Sequence, residues 1–235
     1  MKGSLVSRLS VSCALVVVLG IGAPAKADEL LTNGNFATGT LASWNVDNQA
    51  GGFGTFVVIS GTVTPDGMQP TVGPPPGSTF YAVSDQIGAG THALSQMFTV
   101  PAGATSVILS FDMFVNDWSG VGPIVNAAGL DYTAVPNQHA RVDILAADAP
   151  PFDTGTGVLQ NFYLSVDPGA NPHAYTHYEF DITDLVVDGG IFRLRFAEVD
   201  NQFFLSQGVG NVSIDFTGAA PVGKTNKVKK YQKSL

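Results

Sequence analysis

Phe192-Arg193-Leu194-Arg195-Phe196 and Ala140-Arg141-Val142-Asp143-Ile144 are the two stretches that decide the fold. Each alternates apolar with charged residues, and only an extended strand, whose successive side chains point to opposite faces, turns that alternation into one apolar and one polar side. Phe192, Leu194 and Phe196 then face a core with Ala140, Val142 and Ile144, while Arg141, Asp143, Arg193 and Arg195 take the other face. If the two strands share a sheet, the four charged side chains line one polar surface. Short apolar or alternating runs recur at 55–60, 80–84, 93–100, 106–115, 158–165, 175–182 and 209–216, and none shows a 3.6-residue period with caps. Strands without crossover helices pair antiparallel, so the expectation is an all-β, antiparallel two-sheet β-sandwich or jelly roll.

Turn chemistry punctuates the runs. Pro101-Ala102-Gly103 and Asp188-Gly189-Gly190 are expected to act as hairpin-like turns. Residues 65–78 carry Pro65, Pro70, Pro74, Pro75 and Pro76, cannot pair inside a sheet, and read as a loop. Residues 116–138 read as a second long loop, and long loops on a rigid scaffold often carry a binding surface. Within it Trp118 is the candidate stacking ring, with Asn116 and Asp117 beside it as hydrogen-bonding groups and Tyr132 further along.

The totals agree with one packed domain. Hydrophobic residues at 45% against 13% charged leave ample apolar surface to bury, and the 27 glycines and 14 prolines are scattered instead of periodic, as many short strands require. Charge is unevenly spread. Arg141, Arg193 and Arg195 are the only cations between Asp28 and Ala220, which hold all 19 acidic residues; Lys224, Lys227, Lys229, Lys230 and Lys233 crowd into a basic tail. Such a domain repels nucleic acid and anionic membrane, whose binding needs clustered cations.

Lys2 and Arg8 precede an apolar stretch at 9–21, followed by Ala25-Lys26-Ala27, the pattern of a cleavable signal peptide and short of the roughly 20 apolar residues of a membrane span. Cleavage after Ala27 would remove Cys13, the single cysteine, and with it disulfides, thiolate zinc sites and cysteine nucleophiles. The expected organisation is a signal peptide at 1–27, one β-sandwich domain at 28–220 and a disordered basic tail at 221–235, secreted or periplasmic and without a membrane span.

Leu31-Thr32-Asn33-Gly34-Asn35-Phe36 followed by Leu41-Ala42-Ser43-Trp44 resembles the opening of carbohydrate-binding-module-like jelly rolls, and Val209-Gly210-Asn211-Val212-Ser213-Ile214 resembles their last strand. Residues 109–118 and 192–202 resemble secreted bacterial β-sandwich proteins of the kind often carrying a PEP-CTERM sorting signal; that signal is absent here. The resemblance implies a buried Trp44 and a structural calcium, but Ala37 and Gly210 stand where two of its carboxylate ligands would be, so no cofactor or metal is expected.

Among groups able to do chemistry, Glu198 and Asp200 are two residues apart on one side of a strand, and paired carboxylates are what glycoside hydrolysis needs. Gln202 stands where the corresponding glycosidase motif carries a further Glu. His173 and His177 lie in strand or loop, where a spacing of four has no helical meaning, and no Gly-x-Ser-x-Gly elbow exists. The expected function is a secreted, non-catalytic binding module for carbohydrate or a cell-surface polymer, through the Trp118 loop and the Arg141, Asp143 and Arg195 face. Two alternatives stay open: a structural matrix or envelope protein without small ligand, and a glycoside hydrolase or lyase using Glu198 and Asp200.

Overall fold

The computed structural model describes residues 27–218. Cys13, nearly all of the signal segment and the Lys-rich tail lie outside the described residues. In chain order the elements are β1 (Asp28–Glu29), β2 (Asn45–Asn48), β3 (Thr55–Ile59), β4 (Tyr81–Asp85), β5 (Gly90–Val100), β6 (Ala104–Asp117), β7 (Gln138–Ala146), β8 (Val158–Ser165), β9 (Thr176–Asp181), the single-turn α1 (Thr183–Val186), β10 (Gly190–Asp200) and β11 (Leu205–Gly218). One sheet runs β3-β4-β11-β6-β9 with β1 on β11, the other β2-β5-β10-β7-β8, and all neighbours are antiparallel. This is the two-sheet β-sandwich the alternation implies.

The interior lies where period two puts it. Phe196, Leu194, Ala140, Val142 and Ile144 are buried in one core with Phe111 and Leu109 from across the sandwich and with Trp44, which directly precedes β2, and Phe192 packs against it. Phe196 meets Phe111 edge-on at 5.2 Å between ring centroids and Trp44 at 6.2 Å, the arrangements aromatic quadrupoles favour. Trp44 is structural, as the resemblance implies: its indole Nε1 donates to the Asn33 carbonyl. The opening and closing motifs touch, since Val212 N donates to Gly34 O and a Cβ on Gly34 would fall 1.9 Å from the Val212 carbonyl oxygen. Only glycine fits there.

Two expectations about turns need correction. Pro101-Ala102-Gly103 joins β5 of the second sheet to β6 of the first, and Asp188-Gly189 leads from α1, beside the first sheet, to β10 of the second, so both arch between sheets and neither closes a hairpin. Gly103 and Gly189 supply positive φ, +81° and +74°, and the arches stack so closely that a Cβ on Gly189 would lie 2.7 Å from Ala102 N. β2 escapes a hydropathy reading because Asn45-Val46-Asp47-Asn48 has one apolar residue.

Both outer faces are partly roofed. Residues 61–78 cover Tyr81, Val83 and Phe114 on the first sheet, held by Thr71 Oγ1 and the Gly61 carbonyl on the Tyr81 hydroxyl and by the Tyr175 hydroxyl on Gly73 O. On the second sheet Leu130, Tyr132 and Phe152 close over Ala93, Ala197 and Val199. The bulge between Gly210 and Ser213, with Asn211 at φ +49°, changes the partner of β11 from β4 to β1.

Truncating Phe196 to Ala leaves a cavity between the rings of Trp44 and Phe111 and is expected to cost about 3–5 kcal/mol in urea unfolding. Loss of under about 1 kcal/mol would show that the core can collapse around it.

Candidate functional site

The charged face of the second sheet does assemble. Arg195 pairs in register with Asp143, and Arg141 stands opposite Ala197. Arg141 donates to both Asp143 oxygens, 2.7 and 2.8 Å, and Arg195 and Asn161 donate to the same carboxylate. It is not the open polar surface the sequence suggested. Asp143 and Arg195 are fully buried and Arg141 is 6% exposed, because the chain at 147–157 lies over them: Arg195 donates to Pro151 O, and Arg193 to the carbonyls of Ala147 and Ala149. Alternation says which residues share a face but not whether a loop covers it. Burial raises the Asp143 carboxyl, while hydrogen bonding from Arg141 and the charges of Arg195 and Arg141 outweigh that and hold it below the usual range.

The 116–138 segment is likewise a brace more than an open rim. Asn116 and Asp117 belong to the end of β6 and are buried. Asn116 accepts from His173 N, and Asp117 takes Ser119 N and Oγ and Gln138 Nε2 on one oxygen and Gly122 N on the other. Trp118 is half-buried, its main-chain N donates to Phe204 O, and its indole N–H is buried without a partner among the described residues. Tyr132, also half-buried, donates its hydroxyl to Ala50 O. Asp117 and Trp118 thus lie at the loop end of the sandwich, while Tyr132 packs on the outer face of the second sheet over Ala197, the register partner of Arg141.

Glu198 and Asp200 continue the inward side of β10 beyond Phe196, so the alternation that builds the core drives two carboxyls into its end. Glu198 is completely buried; neither of its oxygens has a hydrogen-bond partner, and His92 Nε2 stands 4.0 Å away. Burial holds His92 at about 4, neutral at physiological pH, with Nε2 donating to Phe53 O, so that contact is no ion pair. Burial first and the charge of Asp200 second push Glu198 well above the usual carboxyl range. Burial also raises Asp200 against the pull of backbone N–H groups, Gly90 N donating to Oδ1 at 2.9 Å. Glu198, fully enclosed, cannot reach a glycosidic bond, so the pair does not present the two accessible carboxyls that glycoside hydrolysis needs, although Asp200 lines the cleft at the loop end.

His177 Nδ1 lies 2.8 Å from Asp112 Oδ1 at the surface, whereas His173 faces Asn116 with its main-chain N–H; the two do not converge. Among the described residues no three His, Cys, Asp or Glu come together as a metal site. The calcium implied by the resemblance does not fit either: a Cβ on Gly210 would lie 2.6 Å from Pro75 Cγ, leaving no room for a ligand carboxylate, and Ala37 offers a methyl group.

What remains open at the loop end is a cleft of about 220 Å³ lined by Ile87, Gly88, Ala89, Asp200, Asn201, Gln202, Phe203 and Phe204. Phe203 stands 54% exposed and Ile87 59%, with Phe204 edge-on behind Phe203 at 4.7 Å. Asn201 pins the neighbouring loop by donating to the carbonyls of Tyr132 and Ala134. That Phe203 and Phe204 stand together is visible in the sequence, where they are neighbours. The 87–89 wall is not, since nothing short of the β5–β10 register, Gly90 opposite Asp200, brings it there.

No family model matches the chain, and no curated protein matches it. Solved structures are similar at low identity. A family 61 carbohydrate-binding module in complex with β-1,4-galactotriose aligns at 11% identity, over 80% of this chain and 97% of its own, with a TM-score of 0.48. The Stig cyclase Fisc from Fischerella sp. TAU gives 13%, 83%, 100% and 0.48, and the K3 adhesin domain of Lys-gingipain from Porphyromonas gingivalis W83 gives 16%, 81%, 99% and 0.45. Likenesses at these scores carry no argument about ligand or activity.

Two substitutions test the site's electrostatics. Asp143→Asn leaves two buried guanidiniums without countercharge and is expected to cost about 3–5 kcal/mol. For Glu198 and Asp200, with folded pKa values raised above an unfolded value near 4, stability is full below that value and falls as pH rises. For His92 and His139, both lowered to about 4, it is lost as pH falls from about 6.5 toward 4. Melts should therefore decline from pH 6.5 to 9, and Glu198→Gln should raise the melting temperature there and flatten the decline; an unchanged slope would refute the neutral buried acid.

Proposed function

We propose that the chain is an exported, non-catalytic binding module whose loop-end cleft takes saccharide. The observation that carries this reading is Phe203, an exposed ring at the mouth of a cleft whose other lining is Asp200, Asn201 and Gln202. A sugar offers an apolar ring face and a rim of hydroxyls, and an exposed aromatic beside carboxyl and amide groups answers both. No cation lines the cleft, so anionic ligands are disfavoured. Export is read from the first 27 residues, and among the described residues no helix is long and apolar enough to cross a membrane. In this reading Asn116, Asp117, Trp118 and Tyr132 set the loops that shape the end of the sandwich, and Arg141, Asp143 and Arg195 hold the roof of the second sheet; none of the seven stacks on the ligand.

A glycan array followed by titration calorimetry tests it. A neutral or amine-bearing oligosaccharide should bind, and Phe203→Ala should weaken it about tenfold, the equivalent of roughly 1.4 kcal/mol, with the melting temperature little changed. Binding unaffected by Phe203→Ala, or no glycan bound while the protein self-associates, would overturn the reading, the second in favour of a structural exterior protein.

A further inference from the structure

A second concavity lies on the flank of the sandwich, where edge strand β8 of one sheet faces edge strand β9 of the other. This groove, about 580 Å³, has Phe162, Phe180 and Leu185 on its floor and Gln160, Asp181 and Asp184 on its rim. The two rings are half-buried, with centroids 4.8 Å apart and planes tilted by 47°, so each keeps part of a face open. Both rim carboxylates are exposed. Every described Lys or Arg is an arginine on the outer face of the second sheet, bonded to Asp143 or to the carbonyls of 147–151, so none serves this rim.

The chain itself carries the missing charge. Its last described strand ends at Gly218, paired with Ala104, and the adjoining Gly103 N donates to Val187 O at 3.4 Å just after α1. The main chain therefore leaves the first sheet beside the turn that holds Asp184 and Leu185. Six residues further on Lys224 begins a run that also includes Lys227, Lys229, Lys230 and Lys233. Extended chain covers roughly 3.3–3.6 Å per residue, which gives Lys224 a reach of about 20 Å and the later lysines more.

We propose that the groove between β8 and β9 receives lysine side chains of the chain's own segment 224–233. The four-carbon stem of a lysine lies along the open faces of Phe162 and Phe180 while its ammonium reaches Asp181 or Asp184, so one side chain satisfies the apolar floor and the acidic rim together. An exposed contact of this kind is worth no more than about 1 kcal/mol. The tether offsets that weakness, since a short linker sets an effective concentration in the millimolar range. Several lysines exchanging over one groove suffice; no fixed structure of the segment is required. Occupancy also covers an apolar edge on which another molecule could settle.

Zero-length carbodiimide cross-linking of the full chain at micromolar concentration, followed by peptide mass spectrometry, tests this directly. Cross-links from Lys224–Lys233 to Asp181 and Asp184 are expected within the monomer, reduced severalfold at about 1 M salt, where screening acts within about 3 Å, and absent in the Asp181→Asn/Asp184→Asn double variant. In a second measurement, changing the five lysines to glutamine should shift backbone amide resonances at 160–162 and 180–185. Cross-links found only between copies, or spread equally to distant carboxylates such as Asp66 and Asp148, would overturn the proposal, as would unchanged resonances in the glutamine variant.

Discussion

The period-two geometry of β10 is the constraint on which the rest of the molecule depends. As the central strand of the second sheet it has β5 on one side and β7 on the other, so its side chains have no freedom to choose a face. Phe192, Leu194 and Phe196 enter the interior, and the same rule sends Glu198 and Asp200 after them, while Arg193 and Arg195 go outward. A one-residue slip would exchange the two sets and place guanidiniums among aromatic rings. The pairing of Arg195 with Asp143 adds a second lock on register, because that one carboxylate sits between both guanidiniums.

Roofing follows from what each outer face carries. A pair of buried guanidiniums has more donors than one carboxylate can accept, and the surplus must find oxygen. The Pro151 carbonyl takes Arg195, and the carbonyls of Ala147 and Ala149 take the half-buried Arg193 beside it, which is why that chain crosses the sheet instead of extending into water. On the opposite sheet the roof is apolar, with Tyr81 and Phe114 under the proline-rich segment, and Asn211 ties it down by donating to Pro76 O while accepting from Ser78. Proline suits such a roof because it has no N–H to leave unpaired against an apolar surface. With both faces partly covered, concave surface is left at the loop end, along the flank between edge strands and in the gap beside Arg193 where the roof of the second sheet ends.

How far this was legible in the sequence follows from which interactions are local. The faces of Phe192–Phe196 and Ala140–Ile144 came from alternation alone, and so did the two-sheet architecture. The roofs did not: Pro151 reaches Arg195 across 44 positions, and no periodicity within either segment signals that contact. Loop reasoning marked 116–138 as a carrier of function because of its length, yet Asn116 and Asp117 turn their polar atoms onto their own loop and onto His173, as short polar side chains at strand ends commonly do. Trp118 shows the same limit, since its half-burial and the bond from its main-chain N to Phe204 O depend on chain 86 positions away and leave no local signal.

The buried acids show how fold and binding are connected at the loop end. Glu198 has His92 at 4.0 Å and Ser84 and Gln86 as its polar neighbours, and Asp117 lies near Asp200; none of these is cationic at neutral pH, because burial keeps His92 uncharged. Charge on Glu198 therefore has no partner to lower its energy, and the proton stays on. A neutral acid at that depth leaves the interior polar without field-driven rearrangement, so Asp200 can form the base of the cleft while Glu198 behind it packs as an uncharged side chain. Ionising both would place two like charges on adjacent inward positions of one strand. The turns at 87–89 and 201–204 line the cleft together with Asp200.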